Sequence, residues 1–243
     1  QYEPNPNDAE SLSFRHVWTL LEDKQQRLWV GTIDGLDLLL EVSPERARFR
    51  HFRHDPADPH SLSSNRIISL HQDRRGQLWV GTQDGGLNRL DPETGRVERI
   101  TAGLPSAHIS SILEDDAGLL WVSTVNGLAM VDPETLAVRS FGESNGLVSN
   151  HFNRDASFKD AAGRLYFGST EGFSVFDPDY FNQPVAPPKV VISELRLFNL
   201  PVNADTPNSP LTQAISATEH LTLSHHHNMF AFDFYAISYR AAP

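Results

Sequence analysis

From residue 11 to about residue 180 the chain alternates short apolar runs with turn residues. The stretch 67–100 shows this most clearly. Ile67–Gln72 leads through Asp73-Arg74-Arg75-Gly76 to Leu78–Thr82; Asp84-Gly85-Gly86 turns the chain into Leu87–Leu90, and residues 91–95 turn it into Val97–Ile100. Asp-Gly and Asn-Gly pairs between such runs are hairpin signals, because glycine takes the positive φ that tight turns need. No window carries a sustained 3.6-residue apolar period with helix caps. The pattern predicts four antiparallel strands in about 45 residues, the size of one β-propeller blade.

The pattern recurs. Leu28-Trp29-Val30-Gly31-Thr32, Leu78-Trp79-Val80-Gly81-Thr82, Leu120-Trp121-Val122-Ser123-Thr124 and Leu165-Tyr166-Phe167-Gly168-Ser169 align on one aromatic, with spacings of 50, 42 and 45 residues. An Asp stands six positions before each aromatic, at Asp23, Asp73, Asp115 and Asp160. Gly35-Leu36, Gly85-Gly86-Leu87, Gly127-Leu128 and Gly172-Phe173 follow. A second turn comes at Asp91-Pro92, Asp132-Pro133 and Asp177-Pro178, with Ser43-Pro44 in the first unit. A single blade cannot bury both faces, so its neighbours must stack on it. The expected fold class is all-β. Residues 11–183 form a partial β-propeller of four four-stranded antiparallel blades, and the start of an immunoglobulin-like β-sandwich follows.

Residues 2–13 parallel residues 52–63 at an offset of 50, so residues 1–10 are expected as the outer strand of a preceding blade, in a chain cut from something longer. The four blades then form an arc, unless a partner chain completes the ring. Pro184-Val185-Ala186-Pro187-Pro188 reads as a stiff linker over 184–188, each Pro fixing φ and removing a donor. In 189–243 the repeat is gone. Residues 190–197 and 220–223 read as strands, 199–211 as a polar loop, and 228–239 as an alternating strand with Phe230, Phe232 and Phe234 on one face. This segment is short of the ~100 residues of a typical sandwich, so it is expected to be truncated.

The segment 67–87, Ile…Asp…Gly-x-Leu-Trp-Val-Gly-Thr-x-Asp-Gly-Gly-Leu, resembles the two-component regulator propeller repeat. Residues 188–239, ending Phe-Ala-Phe-Asp-Phe-Tyr-Ala-Ile-Ser-Tyr, resemble the first half of the Tyr-Tyr-Tyr domain that follows such propellers. Tyr166 for Trp, Ser123 for Gly and the inserted Gly86 depart from the repeat without breaking the blade. The resemblance implies the periplasmic sensor region of a membrane-bound receptor, with a histidine kinase (often hybrid) or diguanylate cyclase as output. It also implies a homodimeric parent and a small polar ligand, an oligosaccharide included, since many members sense glycan fragments.

Composition narrows the alternatives. The 243 residues carry 20 Lys+Arg against 31 Asp+Glu, a formal net charge of −11, the wrong sign for a nucleic-acid duplex. The absence of Cys excludes thiolate chemistry, a Cys-built zinc site and a disulfide frame. No apolar run approaches the ~18 residues of a membrane helix, and no secretory leader pattern opens the chain, so no membrane contact by this fragment is expected.

Candidate chemistry divides by recurrence. The four aromatics could stack sugars, but a residue at one place in every unit fits packing between blades. The four Asp fit tight-turn openers, each carboxylate taking backbone N–H groups two residues on. In an antiparallel blade the strand 2–3 connection and the blade-to-blade connection emerge on one face. Counting thirteen residues back from each aromatic gives His16, Arg66, His108 and Asn153, near Arg15, Asn65, Asn150, His151 and Arg154. The other loop set gives Asp34, Gln83, Asp84, Asn126 and Glu171. From these, the ligand-binding candidates at the channel mouth are His16, Arg66, His108, His151, Asn153, Arg154, Asp34, Asp84, Asn126 and Glu171. No cofactor, metal site or catalytic residue is expected: His225-His226-His227 alternates faces if on a strand, and no phosphate loop or nucleophile elbow is present. Two alternatives stand beside the sensor: a propeller enzyme such as a polysaccharide lyase using a channel His (His16, His108 or His151) as base, and a protein-binding scaffold marked by a broad apolar patch.

Overall fold

The computed structural model describes residues 2–182 and 190–236; the 184–188 linker lies outside them. The chain divides between residues 183 and 184 into two compact units.

The first unit holds four antiparallel sheets. Strands β1 (Val17–Glu22), β2 (Leu28–Thr32), β3 (Gly35–Val42) and β4 (Ala47–Phe52) make the first, in chain order. β5 (Ile67–Gln72), β6 (Leu78–Thr82), β7 (Leu87–Leu90) and β8 (Val97–Ile100) make the second. The third is β9 (Ile109–Glu114), β10 (Leu120–Thr124), β11 (Gly127–Val131) and β12 (Val138–Phe141). The fourth has three strands: β13 (Phe152–Lys159), β14 (Leu165–Ser169) and β15 (Gly172–Phe176). In place of an outer strand the helical turn α1 (Asp179–Asn182) follows, and Phe181 packs onto Trp121, Phe141 and Phe176 with ring centroids 5.5, 4.9 and 5.4 Å away.

The repeated aromatics form the seams between blades. Trp29 clusters with Leu62, Ile67, Leu78 and Val80; Trp79 with Ile109, Ile112, Leu120 and Val122; Trp121 with Phe152, Leu165 and Phe167. All three indoles are fully buried, so none offers a face to a sugar. The Asp six residues upstream does more than open a turn. Its Oδ1 accepts backbone N–H groups of that turn, and its Oδ2 accepts the aromatic's own donor. The Trp29, Trp79 and Trp121 Nε1–H groups reach Asp23, Asp73 and Asp115 at 2.9, 2.8 and 2.9 Å, and the Tyr166 hydroxyl reaches Asp160 at 3.1 Å. Burial alone pushes the Asp23 carboxyl up, yet the Trp29 indole, the Arg27 amide and the Arg27 guanidinium together hold it below the usual carboxylate range. The next blade lies directly on the glycine of the second strand: a Cβ on Gly31 would come 2.8 Å from Ile67 Cγ2, and one on Gly81 2.6 Å from Ile109 Cγ2. Ser123, which replaces this glycine, bonds its hydroxyl to that of Ser111 at 2.6 Å.

One seam carries a polar group. His71 lies opposite Trp79 in the ladder, where the other blades place Leu21, Leu113 and Phe158. Its Nε2 has no hydrogen-bond partner, and the nearest carboxylate, Glu114, is 3.6 Å away. Burial pushes the imidazole below its ordinary 6.5, Glu114 and Asp73 pull it back up, and Lys24 adds to the lowering. The fold favours the neutral ring. Its contribution is therefore full above about pH 6.5 and is lost as pH falls from there through the lowered folded value. His71→Leu, the residue used in two sister blades, should raise stability more at pH 5 than at pH 7.5, since the unfolded chain takes up a proton there that the folded site resists. Thermal denaturation at both pH values checks this; an equal gain at the two would contradict it.

Residues 2–10 form no strand, correcting the expectation of an outer strand there. They form a loop, and the 50-residue parallel is with the loop that joins the first and second sheets. Asn5 N–H donates to Ser11 Oγ at 2.9 Å and Glu10 N–H to Asp8 Oδ1 at 3.1 Å; Asp55 donates to Ser61 at 2.8 Å and His60 to Asp58 at 2.8 Å. Short polar side chains capture the amides that a ladder would need. The loop docks on β4, with Glu10 bonded to Arg48 and Asp8 to Arg46, both at 2.8 Å.

The first and fourth sheets each expose apolar residues whose counterparts in the sheets between them are buried. Val17 is 40% exposed, while its counterparts Ile67, Ile109 and Phe152 are buried. Phe173 is 60% exposed, while Leu36, Leu87 and Leu128 are buried. Phe158 and Val175 are exposed beside it.

The second unit contains a three-stranded sheet, β17 (Leu200–Val202), β16 (Val190–Leu197) and β18 (Phe230–Ala236), in that order. The strand expected at 220–223 does not form; Leu221 and Leu223 pack in a cluster with Leu195, Leu197 and Leu211. Phe230, Phe232 and Phe234 share an exposed face with Val190 and Ile192 around an open hollow of about 520 Å³.

Candidate site at the mouth of the inner strands

The start of each blade's first strand and the end of its second lie at one end of the blade, since the two are antiparallel. Backbone bonds tie this end from blade to blade. The Gly35, Gly86 and Gly127 N–H groups donate to the carbonyls of Asn65, Ala107 and Asn150 at 2.8, 2.9 and 2.7 Å. Within blades, the Gln83, Val125 and Thr170 N–H groups donate to Arg66, His108 and His151 at 2.9, 3.3 and 3.2 Å. The Thr32, Thr82 and Thr124 hydroxyls donate to Gly35, Gly86 and Gly127 carbonyls at 3.0, 2.8 and 2.8 Å. Variable side chains are thus carried on a repeated, hydrogen-bonded frame.

Register decides which residues are equivalent. Val17, Ile67, Ile109 and Phe152 pair with Thr32, Thr82, Thr124 and Ser169. The residues just before them are His16, Arg66, His108 and His151. The count that put Asn153 in this ring is two residues off, because β13 is longer at its bulge. Each inner strand shifts register at its second position: at Trp18, Ile68, Ser110 and, widened, at residues 153–156. Bulges re-aim side chains, and this one turns Asn153, Arg154 and Asp155 out of the ladder. Asp155 takes φ +53°, a left-handed conformation that non-glycine residues adopt only when the surroundings hold them there.

At this bulge the Arg154 guanidinium lies 4.4 Å from the centre of the Trp18 ring on the first blade's inner strand. Burial, then the Arg154 charge, push the His108 imidazole below its ordinary value, and Asp84 opposes them. Burial raises the Asp155 carboxyl, and Arg154 pulls it the other way. Asp155 itself is exposed. The structure therefore sets Arg154 against Trp18, which the sequence reading passed over, and brings its charge within electrostatic range of His108 and of Asp155.

Other candidates stand apart. Asp34 is held by Arg53 at 3.1 Å, and Asn126 Nδ2 donates to the Pro105 carbonyl at 3.3 Å, so both side chains serve their loops. His16 packs edge-on against Phe14, ring centroids 5.6 Å apart. Arg66, His151, Asn153 and Glu171 are exposed. A cavity of about 610 Å³ beside the first blade is lined by Tyr2, Leu12, Arg15 and Val17. Among the described residues no three His, Asp or Glu side chains gather to hold a metal. His225 and His226 lie in a turn with rings 3.8 Å apart.

An aromatic face, a guanidinium, a carboxyl held up and a neutral imidazole around one mouth suit a polar ligand with a flat ring. The chain is 29% identical over 237 residues to histidine kinase P4 of Formosa agariphila, covering 96% of this chain and 17% of that protein. In fold it is similar to the extracellular domain of BT4673 from B. thetaiotaomicron, named as a one component system, with TM-score 0.55 at 17% identity, covering 94% of this chain and 41% of that one. A streptogramin B lyase has TM-score 0.50 at 12% identity over 71% of this chain and 53% of that one. No helix among the described residues is long and apolar enough to cross a membrane. Residues 11–34, 61–84 and 103–126 match the family model described as two component regulator propeller, each match running from the connecting loop into the strand 2–3 hairpin, so that the first three blades carry this repeat.

Proposed function

We propose that this chain is the ligand-sensing part of a periplasmic, extracytoplasmic receptor region, non-catalytic in itself, serving a histidine kinase or diguanylate cyclase output. The observation that carries the reading is the alignment of 96% of the chain with a histidine kinase of which it spans 17%. The ligand is a small polar molecule, an oligosaccharide among them, taken up at the mouth around Trp18, His108 and Arg154. The receptor acts as a homodimer, and binding biases one packing of its blades by a coupling of about 1–3 kcal/mol.

The test is a thermal-shift screen of polysaccharide digests and small metabolites against the chain. A ligand that binds the folded state raises the melting temperature by mass action. The reading predicts a shift that is lost in the double variant His108→Ala/Arg154→Gln, with no product formed. Product formation abolished by His16→Ala/His108→Ala would instead favour the lyase reading, which has a lyase of similar fold behind it. The scaffold reading has the exposed Phe158, Phe173 and Val175 in its favour. These occupy seam positions, so another blade is what fits them.

A further inference from the structure

We infer that the mouth selects an anionic ligand, a polar ring compound bearing a carboxylate, with Trp18 as platform for the ring and Arg154 as receptor for the charge, in a field to which the exposed Arg66 on the neighbouring blade start adds at longer range. The inference rests on reading the mouth as a ligand site and goes further by fixing the ligand's charge.

It comes from a contrast between the two ends of the blades. At the opposite end the arginines of the strand 1–2 turns are neutralised: Arg27 by Asp23 and Glu93 at 2.6 and 2.7 Å, Arg74 by Glu114 at 2.7 Å, Arg75 by Glu134, and Arg164 by Asp160 at 2.7 Å. At the mouth Arg53 pairs with Asp34 at 3.1 Å, but among the described residues Arg15, Arg66 and Arg154 have no carboxylate within ion-pair distance. A chain with eleven more acidic than basic side chains thus leaves three guanidinium groups unpaired at one end. Arg154 lies over the Trp18 ring, Cζ 4.4 Å from its centre, and a guanidinium held on a ring can still give two N–H groups to a carboxylate. The positive field there is felt by His108, whose imidazole Arg154 pushes toward the neutral form. Asp155, adjacent in chain, makes no ion pair with Arg154, and its carboxyl is held up by burial. The same bulge therefore places a cation without an ion-pair partner over an aromatic face.

The chain supplies its own probe. Of its four tryptophans, Trp29, Trp79 and Trp121 are fully buried and Trp18 is partly open, so ligand-dependent changes in indole fluorescence report on Trp18. The 243-residue chain is titrated with D-glucuronate and, separately, with D-glucose. A saturable fluorescence change is expected with glucuronate and not with glucose. Its midpoint should rise at least tenfold in Arg154→Gln, rise less in Arg154→Lys, and rise with salt as charges are screened. Arg66→Gln, outside the Trp18 contact, should weaken binding in the same direction. Equal responses to both compounds, unchanged in Arg154→Gln, would overturn the anion selectivity and leave the mouth as a ligand site. No response to either compound would overturn both.

Discussion

Asp73→Ala is expected to cost about 3 kcal/mol of stability and to lower the melting temperature by roughly 6–12 °C. The Asp73 carboxylate is 1% exposed and satisfies three donors at once: the Arg75 and Gln77 amides at 2.9 Å each through Oδ1 and the Trp79 indole at 2.8 Å through Oδ2. Truncation removes the acceptor for all three, and the indole N–H is left buried without a partner, which is costlier than the net worth of a hydrogen bond. Asp73→Asn keeps the shape and one acceptor oxygen, so it should lose about half as much. Denaturant unfolding of the two variants checks the order. Equal losses would mean that the charge, and not the acceptor geometry, holds the hairpin to the seam.

The second large effect belongs to the seam between the third and fourth blades. Trp121→Ala should cost about 4 kcal/mol, within the range for deleting a buried Trp. Its ring meets those of Phe141, Phe176 and Phe181 at 5.5, 4.8 and 5.5 Å, and it shares a cluster with Leu128, Phe152, Leu165 and Phe167. Tyr166→Ala removes the residue at the same register position in the fourth blade, where it is only half-buried and no following sheet among the described residues covers it, and should cost about 1 kcal/mol. The comparison separates burial from position. Hydrogen exchange should find the fourth sheet loosened in Trp121→Ala while the seam at Trp29 keeps its protection. Equal costs at 121 and 166 would contradict the stacking of blades through these aromatics.

How much of this was legible in the sequence depends on whether a feature is local. The strands of the first three blades follow the apolar runs and their Asp-Gly turns, since hairpins are set by neighbouring residues. The burial of Trp29, Trp79 and Trp121 follows from recurrence. The bond from each indole to the Asp six residues earlier was not legible, because it forms only when the hairpin folds one strand back beside the other. The loop at residues 2–10 matched residues 52–60, but apolar and turn content alone did not separate a strand from a loop whose amides are taken by Asp8 and Ser11. Leu221 and Leu223 alternate as a strand would, yet they serve a cluster and join no ladder. In the candidate site, the ring of His16, Arg66 and His108 came from counting, and the count failed at Asn153 because a bulge adds residues without changing the apolar pattern. Trp18 was not legible because it lies outside the repeat, at a bulge position where its sister blades have Ile68 and Ser110.

The most direct test of the fold is hydrogen exchange of the four tryptophan indole protons, followed by NMR. Three indole N–H groups donate to buried carboxylates, at Trp29, Trp79 and Trp121, and should exchange only with opening of a blade seam. That of Trp18 should exchange fast. Three slow protons and one fast one are the expected result; a second fast proton would contradict the pairing of each seam tryptophan with its aspartate.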